Sequence, residues 1–157
     1  MTDPTVIHAT FVLERTYAAP PARVFAAWSD RDTKARWFLG AEDGAAPGYE
    51  LDFRVGGREA ARGGPEGGPT YTYEARFRDI VPDRRIVSTY EMHLDDARIS
   101  VSVATVELRG DGDGTRLVFT EQGAYLDGLD EPGQREEGVS SQLDALGALL
   151  ERAPASA

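Results

Sequence analysis

Cysteine is absent from this chain of 157 residues, and histidine occurs only twice. The absence of cysteine excludes disulfides and thiolate chemistry, and it makes the cytoplasm the expected compartment. Transition-metal centres are usually built from cysteine and histidine, so His8 and His93 alone do not predict such a centre. We therefore expect no metal and no cofactor, and a structural or exposed position for both histidines.

Long apolar runs and an excess of positive charge are also missing. No segment approaches the roughly 18 consecutive apolar residues of a membrane-spanning helix, and the opening MTDPTVIHAT lacks the basic and then apolar pattern of a signal segment. The formal net charge of -10 opposes binding to nucleic acid or to an anionic membrane surface. These absences predict a soluble protein with neither kind of partner.

Short segments that resemble known ligand-binding motifs are incomplete. The glycine-rich segment 63–68 is not followed by the Lys-Ser/Thr pair of a phosphate-binding loop. The segment 111–114, Asp-Gly-Asp-Gly, lacks the later glutamate of a calcium loop and predicts a hairpin turn instead. No Gly-x-Ser-x-Gly nucleophile elbow is present. The sequence therefore predicts no phosphate-binding loop, no calcium loop and no nucleophile elbow.

The clearest structural pattern lies near the start of the chain. Residues 11–17 alternate apolar and polar side chains, which is typical of a strand. The prolines at 20–21 end that strand and suit the first turn of a helix. Val24, Phe25 and Trp28 then lie on one helical face, and a second short helix ends at Trp37 and Phe38.

The rest of the chain predicts strands followed by one long helix. Residues 132–152 carry leucines and a valine at helical spacing, whereas the glycine-rich segment 56–69 predicts a mobile loop that acts as a gate. We expect one domain over 8–152 with flexible termini at 1–7 and 153–157. The further strands are predicted at 49–55, 71–78, 86–92, 100–108 and 115–122.

Several short motifs along the chain together match one known family. They are Arg15, Ala19-Pro20, Val24-Phe25, Ala27-Trp28, Asp30, Trp37-Phe38, Gly56-Gly57, 82–86, 114–117 and 138–150. With these residues the chain resembles the START-like, or Bet v 1-like (SRPBCC), superfamily, and within it the single-domain proteins related to the activator of Hsp90 ATPase. The resemblance implies an α+β helix-grip fold, in which a curved antiparallel sheet of about six strands wraps around the long C-terminal helix and two short helices follow strand 1. It also implies a ligand cavity between sheet and helix.

Seven aromatic side chains are expected to form the walls of that cavity. Each of them alone is more typical of an ordinary core residue than of a cavity wall. The hydroxyls of Tyr73 and Tyr90 favour a partly polar cavity, because a buried hydroxyl needs a hydrogen-bond partner. The expected ligand-binding residues are Trp37, Phe38, Phe53, Tyr73, Phe77, Tyr90 and Phe119.

Arg15 and Glu121 are the weak candidates for polar or catalytic chemistry. If both face inward, they form a buried pair that orients a ligand, and a desolvated glutamate acts as a general base. The alternative is a structural ion pair near the rim of the sheet.

Three functions stay open on this evidence. The first is non-covalent binding of a small hydrophobic, aromatic or lipid-like ligand, in a stress response or in regulation. The second, a polyketide cyclase/dehydratase-like enzyme, follows from the resemblance, although the residues favour a protein that is not an enzyme. The third is a chaperone-interaction module of the Hsp90 type, or another module with a protein partner. The chain is expected to be a monomer or a homodimer.

Overall fold

The computed structural model describes residues 3–152, and the predicted flexible segment 153–157 lies outside them. The element order is α+β, and β1 begins earlier than the predicted domain start at residue 8. The elements are β1 (Val6–Tyr17), α1 (Pro21–Ser29), α2 (Arg31–Phe38), β2 (Glu50–Leu51), β3 (Arg58–Gly63), β4 (Tyr71–Val81), β5 (Arg85–Leu94), β6 (Ala97–Asp111), β7 (Gly114–Leu126) and α3 (Pro132–Arg152).

The seven strands form one antiparallel sheet in the order β1-β7-β6-β5-β4-β3-β2. β1 and β7 pair along their whole length, so the first and last strands of the chain are neighbours. β6 and β7 are joined by the tight turn predicted at 111–114, where Gly112 takes a φ of 59°. The curved sheet and the long helix confirm the predicted helix-grip fold.

α3 closes the fold by packing its apolar stripe against the sheet. Leu143 and Leu146 are 0% exposed and Leu150 is 6% exposed, as expected for the inward face of an amphipathic helix. Leucines at this spacing fall on one side of the helix, so a single element covers the concave apolar face of the sheet.

The two short helices position the aromatic residues at one end of the sheet. α1 has Pro21 in its first turn, where the missing N–H costs nothing. Asp30 caps α2, because its carboxylate accepts hydrogen bonds from the backbone N–H of Thr33 (3.0 Å) and from its hydroxyl (2.6 Å). The rings of Trp28 and Trp37 then pack edge to face with centroids 4.6 Å apart.

The region 49–69 differs from its predicted form. The strand predicted at 49–55 is reduced to β2, and the segment predicted to be a loop contains β3, so the sheet has seven strands rather than about six. The chain turns sharply between them, and a Cβ at Gly57 would lie 1.9 Å from the carbonyl oxygen of Asp52, which only glycine tolerates.

β3 is a strand despite its small residues, because it lies between two hydrogen-bonding neighbours. β2 pairs with one edge of β3 and β4 with the other. Glu59, Ala60 and Ala61 are buried, so close packing rather than side-chain propensity holds this strand. Of the predicted loop 56–69, only residues 56–57 and 64–69 lie outside a strand.

Candidate functional site

A cavity of about 600 Å³ lies between the sheet and α3. Its inner end is lined by buried residues of β6 and β7, among them Val106 and Phe119. Its outer end includes the exposed residues Leu39, Tyr71 and Gln134, so the cavity opens between the β3–β4 turn and the start of α3. The curvature of the sheet leaves this space because a single helix does not fill it.

Six of the seven predicted wall residues line this cavity. Within this wall the rings of Phe38 and Tyr73 lie 5.3 Å apart, and those of Tyr73 and Tyr90 lie 4.9 Å apart. Aromatic faces at these distances form a continuous apolar surface. The six are Trp37, Phe38, Tyr73, Phe77, Tyr90 and Phe119.

Phe53 is the predicted wall residue that the structure places elsewhere. Its ring packs edge-on between Phe25 (5.5 Å) and Phe77 (5.0 Å), and it is not among the residues that line the cavity. The expectation assumed a strand through residue 55, and the early end of β2 removes the alternation on which that orientation depended.

A buried ion pair lies at the end of the cavity next to α2. Lys34 is the single lysine of the chain, and its Nζ lies 2.8 and 2.9 Å from the two carboxylate oxygens of Glu59. Tyr49 donates to Glu59 Oε2 (2.5 Å), and Tyr73 donates a longer hydrogen bond to Oε1 (3.4 Å). We call these four residues the lysine cluster.

Aromatic rings surround the Lys34 ammonium on its other sides. Nζ lies 4.6 Å from the ring centroid of Phe38, 5.3 Å from that of Trp28 and 6.0 Å from that of Phe77. A cation over an aromatic face is attracted by the ring quadrupole. The lysine charge is therefore compensated within the protein by one carboxylate and by these rings.

A second polar cluster lies where α3 begins. Arg135 Nη1 donates to the hydroxyl of Tyr90 (2.9 Å), and the same hydroxyl donates to Glu121 Oε1 (2.8 Å). Arg135 Nη2 also donates to Ser100 Oγ (2.9 Å) and forms a close ion pair with Asp130. We call these five residues the arginine cluster.

Glu121 is the least compensated group of the arginine cluster. Its side chain is 1% exposed, and its Oε2 lies 3.6 Å from Arg135 Nη1, which is too far for a hydrogen bond. Oε2 has no hydrogen-bond partner among the described residues. Burial raises the pKa of Glu121, although the hydrogen bond from Tyr90 and the charge of Arg135 oppose that rise.

Burial also holds the tyrosines of both clusters in their neutral form. Desolvation is the main cause of the raised pKa of Tyr73 and Tyr90, and the nearby charges of Glu59 and Glu121 add to it. The phenols therefore donate hydrogen bonds and do not act as bases at ordinary pH.

The predicted pairing of Arg15 with Glu121 does not form. Arg15 donates to Asp144 Oδ1 (2.9 Å) and to Ser140 Oγ (2.7 Å), both on α3. In the sheet it lies opposite Leu117, whereas Glu121 lies opposite Phe11. Arg15 is not among the residues that line the cavity, and its role is to fasten β1 to α3.

Sequence reasoning missed the three cations that line the cavity, Lys34, Arg62 and Arg135, and one of its two carboxylates. Arg135 had a signal, because it lies four residues before Val139 on the apolar stripe of α3. Lys34 had a weaker one, since it lies one turn before the aromatic end of α2. Glu59 had none, because its strand carries no apolar alternation.

The described residues do not contain a cluster suited to a metal ion. Within residues 3–152, no group of three or more histidine, cysteine or acidic side chains comes together in a metal-binding arrangement. In the same part of the chain, no helix has the length and apolar character needed to cross a membrane.

Solved structures of similar sequence share this fold. An uncharacterized protein from Rhizobium leguminosarum is 43% identical with a TM-score of 0.91, over 97% of this chain and 100% of that one. The Mll3558 protein from Rhizobium loti is 49% identical with a TM-score of 0.86, over 92% of this chain and 99% of that one.

A curated relative and a protein family match as well. The chain is 38% identical over 89 residues to the actinorhodin polyketide synthase bifunctional cyclase/dehydratase of Streptomyces coelicolor. That match covers 55% of this chain and 28% of the relative, so it spans less than a third of the relative's length. Residues 18–151 match the family described as Activator of Hsp90 ATPase homolog 1-like protein, and because the match covers most of the chain, this protein belongs to that family.

Proposed function

We propose that this protein binds a small, largely apolar aromatic ligand in the cavity between the sheet and α3. The observation that carries the proposal is the cavity itself, whose volume of about 600 Å³ lies in the usual range for small-molecule sites. A fold that used this region only as core would fill it with side chains.

In this proposal, apolar contact with the cavity walls supplies the binding free energy, and the polar groups of the two clusters orient the ligand. Trp37, Phe38, Phe77 and Phe119 present apolar area, whose burial contributes about 25 cal/mol per Å². The lysine and arginine clusters add a few polar groups at different parts of the wall, the usual arrangement in small-molecule sites.

Native mass spectrometry of the purified protein tests this function directly. We expect the native protein to carry an added mass from a bound small molecule. The denatured protein should lack this added mass, because the ligand is released on unfolding. Tyr90→Leu keeps an apolar wall but removes the hydroxyl, so it should weaken ligands that carry a hydrogen-bonding group and spare those that do not. A protein that stays free of ligand and binds no aromatic compound at millimolar concentration would contradict the proposal.

A second candidate is an enzyme of the cyclase/dehydratase kind. It is supported by the similarity to part of the actinorhodin protein and by the buried Glu121, whose raised pKa suits proton transfer. The discriminating experiment is incubation with an aromatic polyketone and analysis of the products. Loss of water or ring formation that Glu121→Gln abolishes would favour the enzyme, and unchanged recovery of a bound compound would favour the binder.

A protein partner is the third possibility, suggested by the family's description alone. In that case the outer surface and not the cavity would carry the function, and cavity variants would leave the interaction intact. A monomer or homodimer in the cytoplasm, and a place in stress response or regulation, remain predictions.

A further inference from the structure

One carboxyl oxygen of Glu121 takes part in a hydrogen bond within the protein, and the other does not. Oε1 accepts the hydrogen bond from Tyr90 at 2.8 Å, whereas Oε2 has no hydrogen-bond partner among the described residues. Both residues line the cavity. A buried polar atom without a hydrogen-bond partner is energetically costly, so a ligand that satisfies Oε2 gains affinity.

The two largely buried cations of the cavity are paired without Glu121, and the third lining cation, Arg62, is exposed at the mouth. Lys34 pairs with Glu59 at one end, and Arg135 pairs closely with Asp130 at the other. An ionised Glu121 would be an additional buried anion, held by the hydrogen bond from Tyr90 and by a contact of 3.6 Å to an arginine that already has its own carboxylate. Such a charge is costly, and a buried carboxyl avoids the cost by keeping its proton.

The hydrogen bonds also place that proton. Oε1 accepts from Tyr90, whose hydroxyl in turn accepts from Arg135. The proton of a neutral Glu121 therefore lies on Oε2, and a protonated carboxyl has one O–H to donate. Oε2 of this cavity-lining side chain is accordingly a hydrogen-bond donor without a partner among the described residues.

The aromatic ring faces that could bind a cationic ligand are already occupied by cations of the protein. The Arg135 guanidinium lies 5.5 Å from the ring centroid of Tyr90 and 5.4 Å from that of Tyr125. Lys34 occupies the faces at the other end. An anionic ligand finds Lys34 and Arg135 already paired with carboxylates, and the third lining cation, Arg62, is exposed to water. Neither sign of charge is therefore favoured.

We propose that the cavity selects a neutral aromatic ligand with a ketone or quinone oxygen, and that Glu121 Oε2 donates a hydrogen bond to that oxygen. This inference rests on the proposed function and names the ligand class of the same site. The rings supply the apolar contact, and the single donor distinguishes a carbonyl compound from its hydrocarbon analogue.

Four naphthalene probes of nearly equal size test the inference by calorimetric titration at neutral pH. They are 2-acetylnaphthalene, 2-ethylnaphthalene, 2-naphthoate and 2-naphthylmethylammonium. We expect the ketone to bind about threefold to tenfold more tightly than the hydrocarbon, as one net hydrogen bond allows, and both ions to bind less tightly than the ketone.

Variants of the full chain attribute that preference to one side chain. Glu121→Gln keeps a donor and should keep the preference for the ketone, whereas Glu121→Leu should abolish it. The matched control is Glu137→Leu on the exposed face of α3, which should change nothing. If Glu121→Leu does not fold, the wild-type series and Glu121→Gln still decide.

Each other outcome overturns the inference in a distinguishable way. Equal binding of ketone and hydrocarbon to the wild-type protein would contradict the hydrogen bond from Glu121 but would still support ligand binding in the cavity. Tightest binding of the ammonium or the carboxylate shows that the site selects a charged ligand. Failure of all four probes to bind removes the cavity function and this inference with it.

Discussion

Among individual residues, the buried pair of Lys34 and Glu59 has the largest expected effect on stability. Their side chains are 4% and 1% exposed and make direct contact. Removing one member leaves the other as an uncompensated buried charge, which typically costs about 3–5 kcal/mol. We expect Lys34→Met to lower the free energy of unfolding by about this amount in urea denaturation.

The exposed pair of Arg98 and Glu91 provides a matched control. Both side chains are largely open to water, and such pairs contribute about 0–1 kcal/mol. Arg98→Met should therefore change the midpoint little. Equal losses in the two variants would show that the Lys34 pair is not buried in solution.

Glu121 should make stability depend on pH in a defined direction. Its pKa is higher in the folded protein than the ordinary 4.5, mainly because of burial. Its contribution is therefore full below the unfolded value and is lost as the pH rises through the folded value. The groups that face Glu121 are Arg135, Asp130, Tyr90 and Tyr125.

Comparison with Glu121→Gln isolates this contribution, since the amide does not ionise. As the pH rises from about 4.5 through the raised pKa of Glu121, the stability of the wild-type protein relative to the variant should fall. Urea unfolding of both proteins at several pH values measures the difference. A constant difference across that window, or one that grows with pH, would contradict a raised pKa.

Among the secondary-structure elements, α3 should contribute most through its apolar stripe. Leu146 is completely buried, so Leu146→Ala removes well-packed methyl groups and should cost about 2–5 kcal/mol. Leu149 is only half-buried, and its replacement by alanine should cost clearly less. Chemical denaturation compares the two, and a loss below about 0.5 kcal/mol for Leu146 would mean that this face is exposed.

The segment 56–69 should divide into two parts in amide exchange. β3 is hydrogen-bonded to β4, so its paired amides should be protected from exchange. The amides of residues 64–69 lie outside a strand and should exchange rapidly. The boundary lies near Gly63, the last residue of β3. Uniformly fast exchange from 56 to 69 would instead support the mobile loop that composition alone predicted.

At the scale of the whole molecule, ligand binding should raise the melting temperature and change tryptophan emission. A ligand that binds only the folded state stabilises it by about 2.7 kcal/mol at a concentration one hundred times its Kd. Trp28 and Trp37 are in contact, so Trp28→Phe is needed to assign the signal to Trp37. We expect 2-acetylnaphthalene to quench the remaining emission and to raise the melting temperature of this variant.

An outer-surface control accompanies that measurement. Val12 lies on β1, is 55% exposed and does not line the cavity. Val12→Thr should leave both the quenching and the thermal shift unchanged. If the ligand loses its effect in this variant, it binds outside the cavity.

The α+β order of elements follows from patterns within the amino-acid sequence. Alternation in 11–17 and helical spacing in 132–152 are periodic patterns, and each is set by local backbone geometry. The predicted turn at 111–114 is local in the same sense. Six of the seven aromatic wall residues also followed from alternation on strands or from position on α2, because a correct strand implies which side chains face inward.

Only the tertiary structure decided which charged groups meet. Lys34 and Glu59 are 25 residues apart, and Arg15 and Asp144 are 129 apart, so neither contact has a local signature. β3 likewise owes its existence to its neighbours, since pairing with β4 supplies hydrogen bonds that its composition did not favour. Periodicity determines which face of an element is apolar, but the register between distant elements determines the partner of each buried charge.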